Sequence, residues 1–194
     1  MREPYDFVLI VCEGGKTEPN YFGRLRTVCG LANANIRITP ADGTDPVSIV
    51  RFAQDEYDEH DRVYCVFDRN GHPNFDEALT LARQSALGKS GVLRTITSVP
   101  CFELWVLLHF AYSTAPFNKA GSDSPCDRVL RAVRGHFNDY DKGRQDIYDK
   151  LSALQDKAIA HAIRLAKHNR ETDSRNPATE VHELVEYLRK IKAP

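Results

Sequence analysis

Apolar positions follow two rhythms along this chain. Up to about residue 110, short unbroken apolar runs alternate with stretches where apolar residues recur every three or four positions; beyond it only the second rhythm persists. Phe7–Cys12 and Val63–Phe67 are the unbroken runs, rich in β-branched and aromatic residues. Such runs read as strands buried on both faces, the pattern of a parallel sheet covered by helices. The alternating Asn35–Thr39 and the segment Gly91–Thr97 supply two more strands. Helical spacing puts Tyr21, Phe22, Leu25 and Val28 on one face, after Thr17 as N-cap and Pro19 in the first turn, ending near Gly30. Asp42-Gly43 is a turn, and Asp45-Pro46 opens a second helix with Val47, Val50, Ala53 and Tyr57. The acidic tract Asp55–Asp61 reads as the solvated end of that helix. Asn74 is placed to cap a third helix carrying Phe75, Ala78, Leu79 and Ala82. Pro100 stops the fourth strand, and Phe102–Phe110 reads as an almost wholly apolar, therefore buried, helix.

Strands alternating with helices at this spacing predict an α/β fold over residues 1–111. Its centre is a mainly parallel sheet of about four strands, flanked by helices and joined by right-handed crossovers. The loop-like Ala111–Ser124 closes that unit. Residues 112–194 predict an all-helical part packed on the core. It comprises Asp127–Phe137, the turn Asp139–Gly143 and a long helix from Ile147 to about His168. The polar loop Arg170–Asn176 then leads to a last helix from Pro177 or Ala178, striped by Val181, Leu184, Val185 and Leu188.

Both unbroken runs end in an acid. Glu13-Gly14-Gly15-Lys16-Thr17 follows the first, and Asp68-Arg69-Asn70 follows the third strand. Asp68 and Asn70, two apart on an extended chain, point to the same side. Open α/β sheets bind ligands at the carboxyl ends of their strands. Acids there are also ordinary loop-starting residues; two such acids on one sheet edge say more than either alone. Gly15-Lys16-Thr17 looks like the end of a phosphate-binding P-loop, but Ile10 stands where that motif needs its first glycine, so a P-loop is excluded. The glycines beside Lys16 still let backbone N–H groups approach a phosphate.

Carboxylates from Glu13 and Asp68, with Asn70 as a neutral oxygen donor, suit Mg²⁺ (or Mn²⁺), which takes one or two carboxylates and shares phosphate oxygens. Glu103, in the first turn of the apolar helix, is either a third ligand or an acid facing the helix dipole. His72 reads as a ligand, a proton donor or a loop residue, and His109, on the apolar helix, as a satisfied core histidine. Lys16 and Arg69 are the candidates for holding phosphate. The chain has no Gly-x-Ser-x-Gly elbow.

Bulk composition narrows the classes. The chain has 194 residues, 42% hydrophobic and 27% charged, in the range of soluble globular proteins. A net charge of −1 supplies no global basic field for nucleic acid. Lys and Arg number 11 against 15 Asp and Glu up to residue 111, and 15 against 12 after it, so the C-terminal part is slightly basic. Five scattered cysteines without a Cys-x-x-Cys pair point to a reducing compartment. No apolar run reaches membrane-spanning length and the N-terminus lacks a signal pattern, so the expectation is a cytoplasmic protein without membrane contact.

Several segments carry a family resemblance. They are Ile10-Val-Cys-Glu-Gly-Gly-Lys-Thr-Glu-Pro-Asn-Tyr-Phe22, Val66-Phe-Asp-Arg-Asn70, Pro100-Cys-Phe-Glu-Leu-Trp105 with Leu108-His-Phe110, and Asn176-Pro-Ala-Thr-Glu-Val-His182. In that order, over nearly the whole chain, they resemble the RloB family, which is found near restriction-modification and abortive-infection genes. More remotely, an acid after strand one and an Asp-x-Asp after a later strand resemble the Toprim fold of topoisomerases, primases and OLD-type nucleases. That resemblance implies a Mg²⁺ site of Glu13, Asp68 and residue 70. Asn70 stands in place of the second aspartate, and Gly15 sits where relatives often have an acid; each departure removes a negative charge. The implied activity is a Mg²⁺-dependent phosphodiesterase or nuclease acting on nucleic acid in phage defence. Glu13 would be a ligand or general base, with Asp68, Asn70 and Glu103 as ligands. The alternative is a non-enzymatic accessory module that binds nucleic acid or a defence-system partner protein, with its site weakened at residue 70.

Overall fold

The computed structural model describes residues 6–191 apart from 34, 44 and 59; Glu59 of the acidic tract lies outside these. In chain order the elements are β1 (Val8–Cys12), α1 (Thr17–Val28), β2 (Ile36–Pro40), α2 (Pro46–Asp55), β3 (Arg62–Asp68), α3 (Phe75–Gln84), α4 (Ala86–Lys89), β4 (Leu93–Val99) and α5 (Glu103–Leu108). There follow α6 (Pro125–Arg134), α7 (Ile147–Leu151), a 3₁₀ turn (Ser152–Leu154), α8 (Gln155–Thr172), β5 (Ala178–Thr179) and α9 (Val181–Lys190).

The sheet has five strands in the order β2-β1-β3-β4-β5. β1 to β4 pair in parallel, and β5 pairs antiparallel to β4. Strand alternation divides the apolar residues between two layers. Val8, Ile10, Cys12, Tyr64, Val66 and Ile96 face one layer, with α1, α5 and the C-terminal helices. Leu9, Val11, Val63, Cys65, Phe67 and Leu93 face the other, with α2 and α3. Burial on both faces is why β1 and β3 are unbroken apolar runs. α5 is buried throughout; its Trp105 and the preceding Phe102 are 0% and 1% exposed. Each such large side chain contributes about 1.5–3 kcal/mol of burial free energy.

The C-terminal part differs from the sequence expectation in three places. It is helical but for β5, which makes the sheet five-stranded where about four strands were expected. Glu180 extends this edge: its backbone N–H donates to Thr97 O at 2.9 Å, and its Oε2 accepts from Thr97 N at 2.9 Å and Thr97 Oγ1 at 2.8 Å. The last helix therefore starts at Val181, after β5, and not at Pro177 or Ala178. The long helix expected from Ile147 is two helices. Ile147 and Leu151 of α7 pack toward α1, whereas Ala158, Ala162 and Leu165 of α8 pack toward α5, and the 3₁₀ turn redirects the stripe. α8 then runs to Thr172, into the expected loop. α6 begins at Pro125, ahead of Asp127, because Ser124 and Asp127 form a capping box with Pro125 in the first turn.

Two caps also differ. Thr17 is the first residue of α1, and its Oγ1 accepts from Gly143 N at 3.0 Å. The Asn74 side chain does not cap α3; its Nδ2 donates to Asp45 Oδ1 at 2.6 Å. Asp45 caps α2, accepting from Val47 N and Ser48 N.

Candidate functional site

The chain leaves β1 toward β2 on one side and returns to β3 on the other. β1 and β3 therefore flank the topological switch point, where open α/β sheets form a crevice at their carboxyl edge. Glu13 and Asp68 stand at those two strand ends. Glu13 N donates to Val66 O at 2.9 Å, and Glu13 Oε2 accepts from Asp68 N at 2.8 Å. His72 Nε2 lies 3.0 Å from Glu13 Oε1. Asp68 Oδ2 accepts from Phe102 N at 3.0 Å, which fixes the entry to α5. A cleft of about 470 Å³ opens here, and Glu13, Lys16, Glu18, Asp68, Asn70, Glu103 and Lys142 are among its walls.

Glu103 comes to this cleft because β4 ends on the same edge and Pro100-Cys101 carries the chain over it into α5. The Glu103 side chain is 2% exposed, and Lys142 Nζ stands 3.2 Å from its Oε2. Tyr140 OH donates to Glu103 Oε1 at 3.3 Å. Burial disfavours the Lys142 ammonium, but the Glu103 carboxylate outweighs it and Lys142 holds its proton more tightly than a free lysine. Lys142 is delivered by the 139–146 loop, which is pinned to the start of α1. Asn20 Nδ2 donates to Gly143 O at 2.9 Å, beside the Thr17 contact. Gly143 has φ +81°, and a Cβ there would meet the Lys16 side chain at 3.0 Å. Glycine meets both constraints.

Glu18 is the acid that sequence reading passed over. In the first turn of α1 it resembles a helix-start residue, yet it is buried and turns back over Gly14, where a Cβ would lie 3.4 Å from its Oε2. Burial, reinforced by Glu103 and Glu13, pushes the Glu18 carboxyl up to about 7. Burial, with Glu18 and Glu13 beside it, also pushes Asp68 well above the usual carboxylate range. Four carboxyl groups thus share one cleft and repel ionisation of one another. The signal available in sequence was position alone: an acid one helical turn beyond a strand-end acid shares the same edge.

The remaining expected residues separate. Lys16 is exposed at the cleft mouth. Asn70 lines the cleft with φ +24°, a conformation Asn tolerates, and its Oδ1 accepts from Cys126 Sγ at 2.9 Å. Arg69 lies elsewhere, lining a second cavity with its guanidinium 6.0 Å from the centroid of the Phe75 ring. His109 sits in the core: Nδ1 meets Trp105 O at 2.9 Å and Nε2 meets Gln155 Nε2 at 3.0 Å. Burial lowers it to about 4, so it is a neutral structural group.

With this geometry in place, comparison with known proteins decides the family. A family model described as RloB-like protein matches residues 8–188. The chain belongs to the RloB-like family. The match runs from β1 to α9 and so includes every residue of the cleft. No curated protein and no solved structure matches this RloB-like chain.

A divalent cation is implied by the Toprim resemblance, and the donor set bears on it. All four acids offer oxygen, the ligand type of Mg²⁺ and Mn²⁺. The raised proton affinity of Asp68 and Glu18 reflects burial first and the neighbouring carboxylates second, and a bound cation would offset both. Among the described residues, however, no three His, Cys, Asp or Glu side chains form a group that holds an ion as they stand. Glu13 and Glu103 are engaged by His72, Tyr140 and Lys142. The donor chemistry fits the ion, and binding it requires those side chains to exchange internal partners.

Proposed function

We propose that this RloB-like chain is a divalent-cation-dependent phosphodiesterase, a nuclease of Toprim type acting on nucleic acid. Phage defence is the setting that its family resemblance implies, and scattered cysteines without a signal pattern suggest the cytoplasm. One observation carries the reading: acids from the ends of β1 and β3, the start of α1 and the start of α5 meet in one cleft at the switch point, with two lysines beside them. A structural role alone is served poorly by three buried carboxyls and a partly buried fourth in one cleft.

In this reading Glu13, Asp68 and Glu103 hold Mg²⁺ or Mn²⁺, with Glu18 as an additional acid and Asn70 as a neutral oxygen. When bound, the ion supplies charge stabilisation at a phosphoryl group and lowers the pKa of water. Lys16, exposed at the mouth, draws a phosphate toward the cleft. Lys142 takes the role first assigned to Arg69, as the ammonium within the cleft. Glu13, at hydrogen-bond distance from His72, is placed to take a proton from water, with His72 as the group that receives or returns it. The rival reading, an accessory module that binds nucleic acid or a partner protein, draws on Asn70 in place of an acid and on its bond to Cys126.

A cleavage assay separates the two. The full chain is incubated with labelled single- and double-stranded DNA and RNA in Mg²⁺ or Mn²⁺, beside Glu13→Gln. Gln keeps an oxygen for Asp68 N, so the fold is retained. The expected result is ion-dependent cleavage that chelator abolishes and Glu13→Gln lowers at least ~100-fold, about 2.7 kcal/mol of barrier. No cleavage of any substrate, or full activity in Glu13→Gln, would leave the accessory reading.

A further inference from the structure

A second cavity, of about 680 Å³, lies on the other side of the β3 tip. Along residues 68–70, Asp68 and Asn70 face the acidic cleft while Arg69 faces this cavity. The cavity is bounded on three sides. α3, from Phe75 to Arg83, forms one wall, β4 and β5 form the floor, and the end of α8 with Ser174 and Arg175 forms the third side.

Four arginines converge on it: Arg69, Arg83, Arg170 and Arg175. Among the described residues none of the four makes an ion pair with a carboxylate. Three acids also line it, but two are spent. Glu183 pairs with Arg94 at 2.7 Å, and Glu180 Oε2 is held by Thr97. Asp76 remains, so positive charge prevails. α3 adds to it: Asn74 does not cap the helix, and Phe75 and Asp76 of its first turn line the cavity. Guanidinium groups are suited to phosphate by planar, bidentate geometry. Phe75, Leu79, Val99 and Ala178 add an apolar patch beside polar groups such as Thr80, Asn169 and His182.

We infer that this cavity binds a nucleoside di- or triphosphate. Its phosphates lie against the arginines, and its base lies on the apolar surface around Phe75. Charge alone would equally suit a nucleic-acid strand. Size favours the compact ligand: the volume falls within the roughly 300–1,000 Å³ of small-molecule sites. Because β3 forms the border of both cavities, a bound nucleotide would touch the segment that carries Asp68.

The site is tested by titration calorimetry on the full chain without divalent cation, which keeps it independent of the acidic cleft. ATP, GTP, CTP and UTP are the probes, with inorganic phosphate and a twelve-residue oligothymidylate as comparators. At least one nucleotide should bind once per chain, and bind at least ~10-fold tighter than phosphate. The double variant Arg83→Ala/Arg175→Ala should weaken it at least ~10-fold with an unchanged melting temperature, because neither arginine makes an ion pair. Glu13→Gln should bind as the wild type does. Absence of nucleotide binding, binding untouched by the double variant, or phosphate binding as tightly as nucleotide would each overturn the inference. So would oligothymidylate that binds through these arginines while nucleotides do not.

Discussion

The two cavities flanking the tip of β3 are opposites in charge and in satisfaction. On one side four carboxyl groups crowd together, and most of their oxygens are met by partners within the chain. On the other, four arginines line a cavity of mixed polar and apolar surface and make no ion pair among the described residues. Three consecutive residues, Asp68, Arg69 and Asn70, serve both, where the chain leaves β3 and turns through Asn70 at φ +24°. The contrast teaches that charge at a sheet edge has to be assigned by side as well as by position. Arg69 is adjacent to Asp68 in sequence and absent from its cleft.

The comparison breaks most visibly at Lys142, the ammonium that offsets the acids. Lys142→Ala leaves Glu103 buried without its cation. At pH 8 this should cost about 2–3 kcal/mol, a fall of about 5–10 °C in Tm. The 47% exposure of the Lys142 side chain keeps the loss below that of a wholly buried pair. Glu103→Gln in the same chain should restore most of it, because the buried group then carries no charge. Thermal melts of the single and double variants check this; an unchanged Tm in Lys142→Ala would mean that the pair contributes nothing.

A smaller effect sharpens the acidic side. Glu18 binds its proton up to about pH 7 when folded, against 4.5 for an ordinary glutamate. Between these values the folded chain holds a proton that the unfolded chain has released, so this contribution is present at low pH and is lost as pH rises through 7. Glu18→Gln should therefore flatten the decline in Tm between pH 5 and 8. At pH 8 it should raise stability by about 1–2 kcal/mol, less than the whole shift would give because Asp68 shares the repulsion. A variant whose pH profile parallels the wild type would remove Glu18 from the cluster.

Much of the sheet was legible because strands buried on both faces leave no polar position to obscure them, as in Phe7–Cys12 and Val63–Phe67. Their acids were legible for the same reason, since each is the first polar group after an apolar run. β5 was hidden by its length: two residues, Ala178 and Thr179, carry no period. Lys142 was hidden by distance, for nothing local in Asp139–Gly143 indicates that the loop docks on the first turn of α1. Glu18 was masked by a competing explanation, because an acid in a first turn is favoured by the helix dipole wherever it occurs. That Arg69 falls on the opposite side from Asp68 was implied by the alternation that puts Asp68 and Asn70 together, but a second cavity there was not visible in the sequence.

The most direct measurement is a calorimetric titration of MnCl₂ into the full chain at pH 8, where Glu18 is ionised, beside Asp68→Asn. The wild type should bind at least one Mn²⁺ per chain, and bind it more weakly at pH 6, where a proton competes. Asp68→Asn should weaken binding at least ~10-fold. No Mn²⁺ binding at millimolar concentration, or equal affinity in Asp68→Asn, would contradict a cation site at the β1–β3 switch point.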